Sequence, residues 1–174
     1  VSSCMWSGFI ADALEMSTED RAEHERIRAL HYRRIVEEGR VYAQPFSEGG
    51  AAAAGAAPWG TIARKVQGSG GGYVINGKKI FASLAGAADW YGVLCTLERP
   101  GQEGRGTRRD SMYLAVPAGA PGLEIYGDWD PLGMRGTVSR NLAFKDVFVP
   151  DDARLMPEGL YFQAATRFPH MFAT

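Results

Sequence analysis

Apolar residues follow a helical period at the start of this chain, a strand period through its middle and a helical period again near its end. Over Glu19–Arg40, Ile27, Leu30, Tyr32, Ile35 and Val36 fall close to one face while charged residues cover the other. That spacing predicts an amphipathic helix of about 20 residues. Ser17-Thr18-Glu19-Asp20 supplies its start, since a hydroxyl caps free backbone N–H groups and carboxylates favour the positive end of the helix dipole. Gly39 ends it. Met5, Phe9, Ile10, Leu14 and Met16 predict a further helix within residues 1–16.

After Val41 the period changes to that of strands. Val41–Glu48 is short and aromatic and breaks at Gly49-Gly50. Ala51–Ala57 is helix-forming by propensity, but Gly49, Gly50, Gly55 and Pro58 around it predict a loop. Strand-like runs follow at Gly60–Val66, Tyr73–Ile80, Trp90–Leu97, Ser111–Val116, Leu123–Tyr126 and Arg140–Val149, each bounded by Gly, Pro, Asn or Asp. Within the stretch Gly72–Asp89, Asn76-Gly77 predicts a tight type I′ turn between two strands, because both central positions of that turn need φ > 0. Arg99–Asp110, rich in Gly and Arg, predicts a solvated hairpin loop. From Pro157 onward Leu160, Phe162, Ala165, Phe168, Met171 and Phe172 return to helical spacing, interrupted by Pro169.

The fold class predicted is therefore α+β: N-terminal helices followed by an antiparallel β-barrel or sandwich. Three parts are expected: residues 1–40 as the end of a helical domain, 41–155 as the β-domain, and 156–174 as a linker into a further helical domain. Val1 and Thr174 both read as interior points of a longer chain.

Composition adds exclusions. With 45% apolar and 22% charged residues the chain has a soluble globular composition. A net charge of −1 gives no reason to expect nucleic acid or an anionic membrane as partner. Cys4 and Cys95 read as free thiols of a reduced compartment. No apolar run reaches the roughly 18 to 20 residues that span a bilayer, and no leader opens the chain. The cytoplasm is the expected location.

Most candidate chemistry fails on inspection. Gly68-Ser69-Gly70-Gly71-Gly72 has Tyr73 where a dinucleotide loop needs its third glycine, and a strand follows rather than a helix. His24 and His31 share a helical face with no third ligand, which predicts surface or packing residues and no metal site. No serine sits in a G-x-S-x-G elbow. Neither a hydrolase nor a metalloenzyme is predicted.

Two strings carry a resemblance. One is Gly72-Tyr-Val-Ile-Asn-Gly-Lys-Lys-Ile-Phe-Ala-Ser-Leu-Ala-Gly-Ala-Ala-Asp89. The other is Asp130-Pro-Leu-Gly-Met-Arg-Gly-Thr137, running on to Phe144-Lys-Asp-Val-Phe-Val-Pro150. In this order and at this separation they resemble the acyl-CoA dehydrogenase family over most of the chain, from about Glu25 to Thr174. In that family the middle β-domain packs on one face of FAD. The resemblance implies cofactor-binding roles for Gln44, Phe46, Ser47, Phe81 and Ser83, with hydroxyls as donors to the flavin and Phe81 as its flat neighbour. Phe81 stands where the family has tryptophan, and serines stand at 47 and 83 where it has threonines. Gly49-Gly50-Ala51-Ala52 replaces its Pro-x-x-Gly-Ser.

The resemblance implies α,β-dehydrogenation of an acyl-CoA thioester. The catalytic base is expected beyond Thr174, and Glu48 is left a structural role. Electron-transfer flavoprotein is the implied partner and a homotetramer the implied assembly. The residues as they stand are expected to be inactive alone. Two alternatives stay open: a two-component flavin monooxygenase of the same fold, and a non-catalytic β-domain that serves as a binding module.

Overall fold

The computed structural model describes residues 12, 14–50, 58–67 and 71–167. Helix α1 (Thr18–Val36) opens on the cap that the sequence predicts, with Ser17 Oγ accepting from Asp20 N at 3.0 Å. It stops four residues earlier than predicted. Its buried face is His24, Ile27 and His31, while Val36 is left exposed. The histidines are therefore packing residues, and His31 Nδ1 lies 2.9 Å from Tyr42 Oη. The helix expected over residues 1–16 and the loop expected at Ala51–Ala57 lie almost wholly outside the described residues.

Eight strands follow: β1 (Tyr42–Ala43), β2 (Ile62–Val66), β3 (Gly72–Ser83), β4 (Trp90–Glu98), β5 (Ser111–Pro117), β6 (Leu123–Tyr126), β7 (Ser139–Pro150) and β8 (Arg154–Met156). Helix α2 (Leu160–Arg167) closes the described chain. The strands run β6-β7-β3-β2-β4-β5-β8, with β1 also on β4. Most pairs are antiparallel, as predicted, but β1 and β2 both lie parallel to β4. Among the described residues, no helix is long and apolar enough to cross a membrane.

Strand alternation divides the interior in two. Tyr91, Val93 and Cys95 of β4 and Met112, Leu114 and Val116 of β5 meet Tyr73, Ile75, Val147 and Val149 in one core. The intervening Leu94, Tyr113 and Ala115 face a second core with Tyr42, Leu155, Leu160 and Ala164, which seats the helical parts against the sheet. Both faces of β4 and β5 are thus covered, so their sequences read as nearly unbroken apolar runs.

One prediction fails in an informative way. Asn76-Gly77 is not a turn, because β3 runs straight through it. Asn76 instead exchanges two 3.0 Å hydrogen bonds with Asp146 of β7, donating from Nδ2 to Asp146 Oδ1 and accepting from Asp146 N at Oδ1. Glycine is required at 77 for close approach: a Cβ there would stand 2.6 Å from Thr61 Cα. The pairing of β3 with β7 slips at two places. At the first, β7 carries one extra residue around Asp146 (φ 51°); at the second, β3 carries one extra around Phe81 (φ 53°). Each is a β-bulge built on a residue in the left-handed region.

Candidate functional site

The second bulge shapes the candidate site. An extra residue in β3 turns the backbone so that the Phe81 ring leaves the sheet, and 58% of it is exposed. A large apolar side chain held outward at a positive φ costs about 1–3 kcal/mol of backbone strain, and such strain gathers at binding surfaces. The loop between β6 and β7 lies alongside. Trp129 meets Phe81 edge-to-face at 6.2 Å between ring centroids. Trp129 Nε1 in turn donates to Met134 O at 3.0 Å. The same loop is pinned by Arg135, which pairs with Asp130 at 2.9 Å and donates to Pro131 O at 3.1 Å. Leu84, just after β3, and Leu132, Met134 and Val138 of the loop are exposed like Phe81, an apolar rim along these two segments.

Hydroxyls line the end of the strand pair. Ser83 and Ser139 sit opposite each other in the β3–β7 register, with their Oγ atoms 2.8 Å apart. Ser83 is exposed and Ser139 is buried. Thr137 Oγ1 donates to Met134 O at 2.8 Å and lies 3.5 Å from Ser139 Oγ.

The segment after β1 reaches this end of β3 through one backbone bond, Ile80 N to Ser47 O at 2.8 Å. Behind that contact Glu48 is buried and fully used. Its Oε2 accepts from Gly60 N at 2.6 Å. Its Oε1 accepts from Thr61 N at 3.0 Å, Thr61 Oγ1 at 2.5 Å and Lys79 Nζ at 2.6 Å. Lys79 is completely enclosed, with Nζ 4.6 Å from the centroid of the Trp59 ring. Burial pushes the Glu48 carboxyl up, but the Lys79 charge and the hydrogen bonds from Lys79, Thr61 and Gly60 outweigh it and hold the group below its usual value. For Lys79 burial prevails over Glu48 and lowers the ammonium. Close by, burial raises the Cys95 thiol to about 12, so this enclosed cysteine is an inert thiol.

The five residues singled out in the sequence thus separate into two groups. Ser47, Phe81 and Ser83 gather around the bulge. Gln44 and Phe46 pack behind it in an aromatic cluster, where Gln44 Nε2 donates to Tyr113 Oη at 2.6 Å and the Phe46 ring lies 6.1 Å from both Tyr113 and Tyr161. Sequence reasoning missed Lys79, Trp129, Thr137 and Ser139. A signal existed for Lys79: it continues the inward alternation of Tyr73 and Ile75, and a lysine at an inward strand position calls for a buried carboxylate. Among the described residues, no three His, Cys, Asp or Glu side chains are grouped to hold a metal ion.

Two helices seated on an eight-stranded sheet make this an α+β fold. The chain belongs to the acyl-CoA dehydrogenase family, whose middle-domain profile matches residues 47–147. The oxygenase component of an FADH2-dependent resorcinol hydroxylase from Rhizobium sp. is 41% identical over 81 residues, covering 46% of this chain and 18% of that protein. The human mitochondrial short-chain specific acyl-CoA dehydrogenase is 34% identical over 106 residues, covering 61% and 24%. Among solved structures, TdsC from Paenibacillus sp. with FMN and indole superimposes with a TM-score of 0.67 at 29% identity, covering 93% of this chain and 36% of TdsC. The chain spans roughly a fifth to a quarter of the length of the curated relatives it matches.

Proposed function

We propose that this chain forms the flavin-facing wall of an FAD-dependent acyl-CoA dehydrogenase. The observation that carries the reading is the outward Phe81 ring, held at a strained bulge beside an exposed Ser83 hydroxyl and the Ser47 backbone. A flat aromatic ring next to hydroxyl donors fits a flavin, whose ring system is planar and whose edge accepts hydrogen bonds. Bound there, FAD supplies a hydride acceptor at N5.

The chain's own residues bind and orient. With FAD bound, Phe81 would pack against the flavin ring and the Ser83 and Ser47 hydroxyls would donate to its edge. Gln44 and Phe46 hold Ser47 from behind through Tyr113. The apolar rim of Leu84, Leu132, Met134 and Val138 excludes water and seats the acyl chain. Glu48 is saturated with donors and is not a base. The general base would come from outside the described residues, an electron-transfer flavoprotein would be the electron-accepting partner, and the assembly would be a homotetramer.

A second reading, an oxygenase that uses externally reduced flavin, is favoured by two observations. Phe81, edge-on to Trp129, stands where the resemblance implies a tryptophan, and a structure with FMN and indole bound aligns over 93% of this chain. The higher identity to the resorcinol hydroxylase does not decide between them, because it covers the shorter stretch.

The test is anaerobic titration of the intact, FAD-loaded protein with short-chain acyl-CoA thioesters. Bleaching of the visible flavin band supports the dehydrogenase. No bleaching, with oxygen incorporated into an aromatic substrate when reduced flavin and oxygen are added, selects the oxygenase. Failure to bind flavin in either oxidised or reduced form rejects both.

A further inference from the structure

The hydroxyl row at the end of β3 has a direction that follows from counting protons. Thr137 has one O–H, and it goes to Met134 O at 2.8 Å. Thr137 therefore offers Ser139 only a lone pair, at a marginal 3.5 Å. Ser139 also has one O–H, and its short contact, at 2.8 Å, is Ser83 Oγ. Ser139 is 7% exposed and Ser83 is open to solvent, so a proton on Ser139 has no bulk water to turn to, whereas one on Ser83 has the whole open side. A buried hydroxyl proton is costly to leave without a good acceptor, which favours Ser139 as the donor in the short bond.

We infer that Ser139 is a positioning residue: it donates to Ser83 and so fixes Ser83 as a hydrogen-bond donor aimed out of the sheet toward the flavin. This rests on the flavin reading above. Two further features support the arrangement. The partners are directly opposed in the strand register, so the backbone sets their distance rather than a flexible side chain. Val138, a β-branched residue at φ 41°, immediately precedes Ser139, so the chain accepts strain at the point where the row begins. Thr137 and Met134 belong to the β6–β7 loop, so the loop that carries the apolar rim also ends in the donor for Ser83.

The experiment uses the intact protein with FAD as probe and reads affinity by flavin fluorescence and the visible absorption band. Ser83→Ala is expected to weaken FAD binding roughly three- to tenfold, the worth of one hydrogen bond, and to shift the band. Ser139→Ala should reproduce both effects with the apo-protein's melting temperature nearly unchanged. Ser139→Thr should restore them, and Ser139→Cys, a weak donor of similar size, should fall between. The double variant should bind no worse than Ser83→Ala. A Ser139→Ala protein with wild-type affinity and band overturns the inference while leaving the flavin reading standing, as does a double variant whose losses add. A wild-type protein that takes up no FAD overturns the flavin reading and this inference with it.

Discussion

Lys79 Nζ lies 2.6 Å from Glu48 Oε1 across 31 positions of sequence, both side chains withdrawn from water. This pair ties the segment that carries Ser47 to the strand that carries Phe81 and Ser83. Removing one member strands the other as an uncompensated buried charge, which is far costlier than the pair is valuable.

Lys79→Met is accordingly expected to destabilise the protein by about 3–5 kcal/mol, read by urea denaturation. The paired change Lys79→Met with Glu48→Gln should recover part of the loss. A Lys79→Met loss below about 1 kcal/mol would show that the pair carries little of the local order.

Gly77→Ala places a methyl group 2.6 Å from Thr61 Cα and 2.8 Å from its Oγ1, at φ 148°. These neighbours are the backbone and side chain of Thr61, whose hydroxyl is engaged with Glu48, so nothing nearby yields easily. A loss of about 2 kcal/mol or more is expected in equilibrium unfolding. A near-neutral result would mean that β2 and β3 separate there at little cost.

His31 couples folding to pH. Burial first, and the Arg34 charge second, lower it from 6.5 to about 4; a backbone hydrogen bond at Arg154, then the charge and backbone of Asp152, oppose them. The unfolded chain therefore binds the extra proton first. Stability is complete above about pH 6.5 and falls as pH drops toward 4, by up to about 3 kcal/mol. A His31→Gln variant should flatten that part of the profile, and an unchanged slope would assign it to other groups.

Phe81→Ser tests whether the outward ring is there for a ligand. The ring is more than half exposed, so thermal stability should move by less than about 0.5 kcal/mol while FAD affinity drops. A large fall in stability with affinity unchanged would make Phe81 a packing residue against Trp129.

Strand positions were legible wherever local pattern decides them. Leu123–Tyr126 matches to the residue, and the five other runs from Gly60 to Val149 agree within three at either end, because Gly, Pro, Asn or Asp bounds each. Val41–Glu48, however, shrinks to Tyr42–Ala43, and the short β8 was not foreseen. The reading of Asn76-Gly77 went astray where a long-range partner overrode a local preference: Asp146, 70 residues away, gives Asn76 both of its bonds. The family-like string drew attention to Phe81 and Ser83 as proposed site residues, but gave no sign of the Ser83–Ser139 contact. It depends on how β3 registers with β7, which no single stretch of sequence encodes.

The two bulges between β3 and β7 have a joint consequence. The partner of each β3 residue steps by one place at Asp146 and steps back at Phe81, so the strand ends regain the frame in which they began. The arrangement works like a pair of compensating frameshifts. Deleting Asp146 alone would put Ser83 out of phase with Ser139 and turn one of them to the opposite side of the sheet. Deleting a residue from each strand together would keep the ends in phase but remove the protruding ring. Length changes in these two strands are thus tolerable for the fold in matched pairs, and even a matched pair erases the feature that the site is built around.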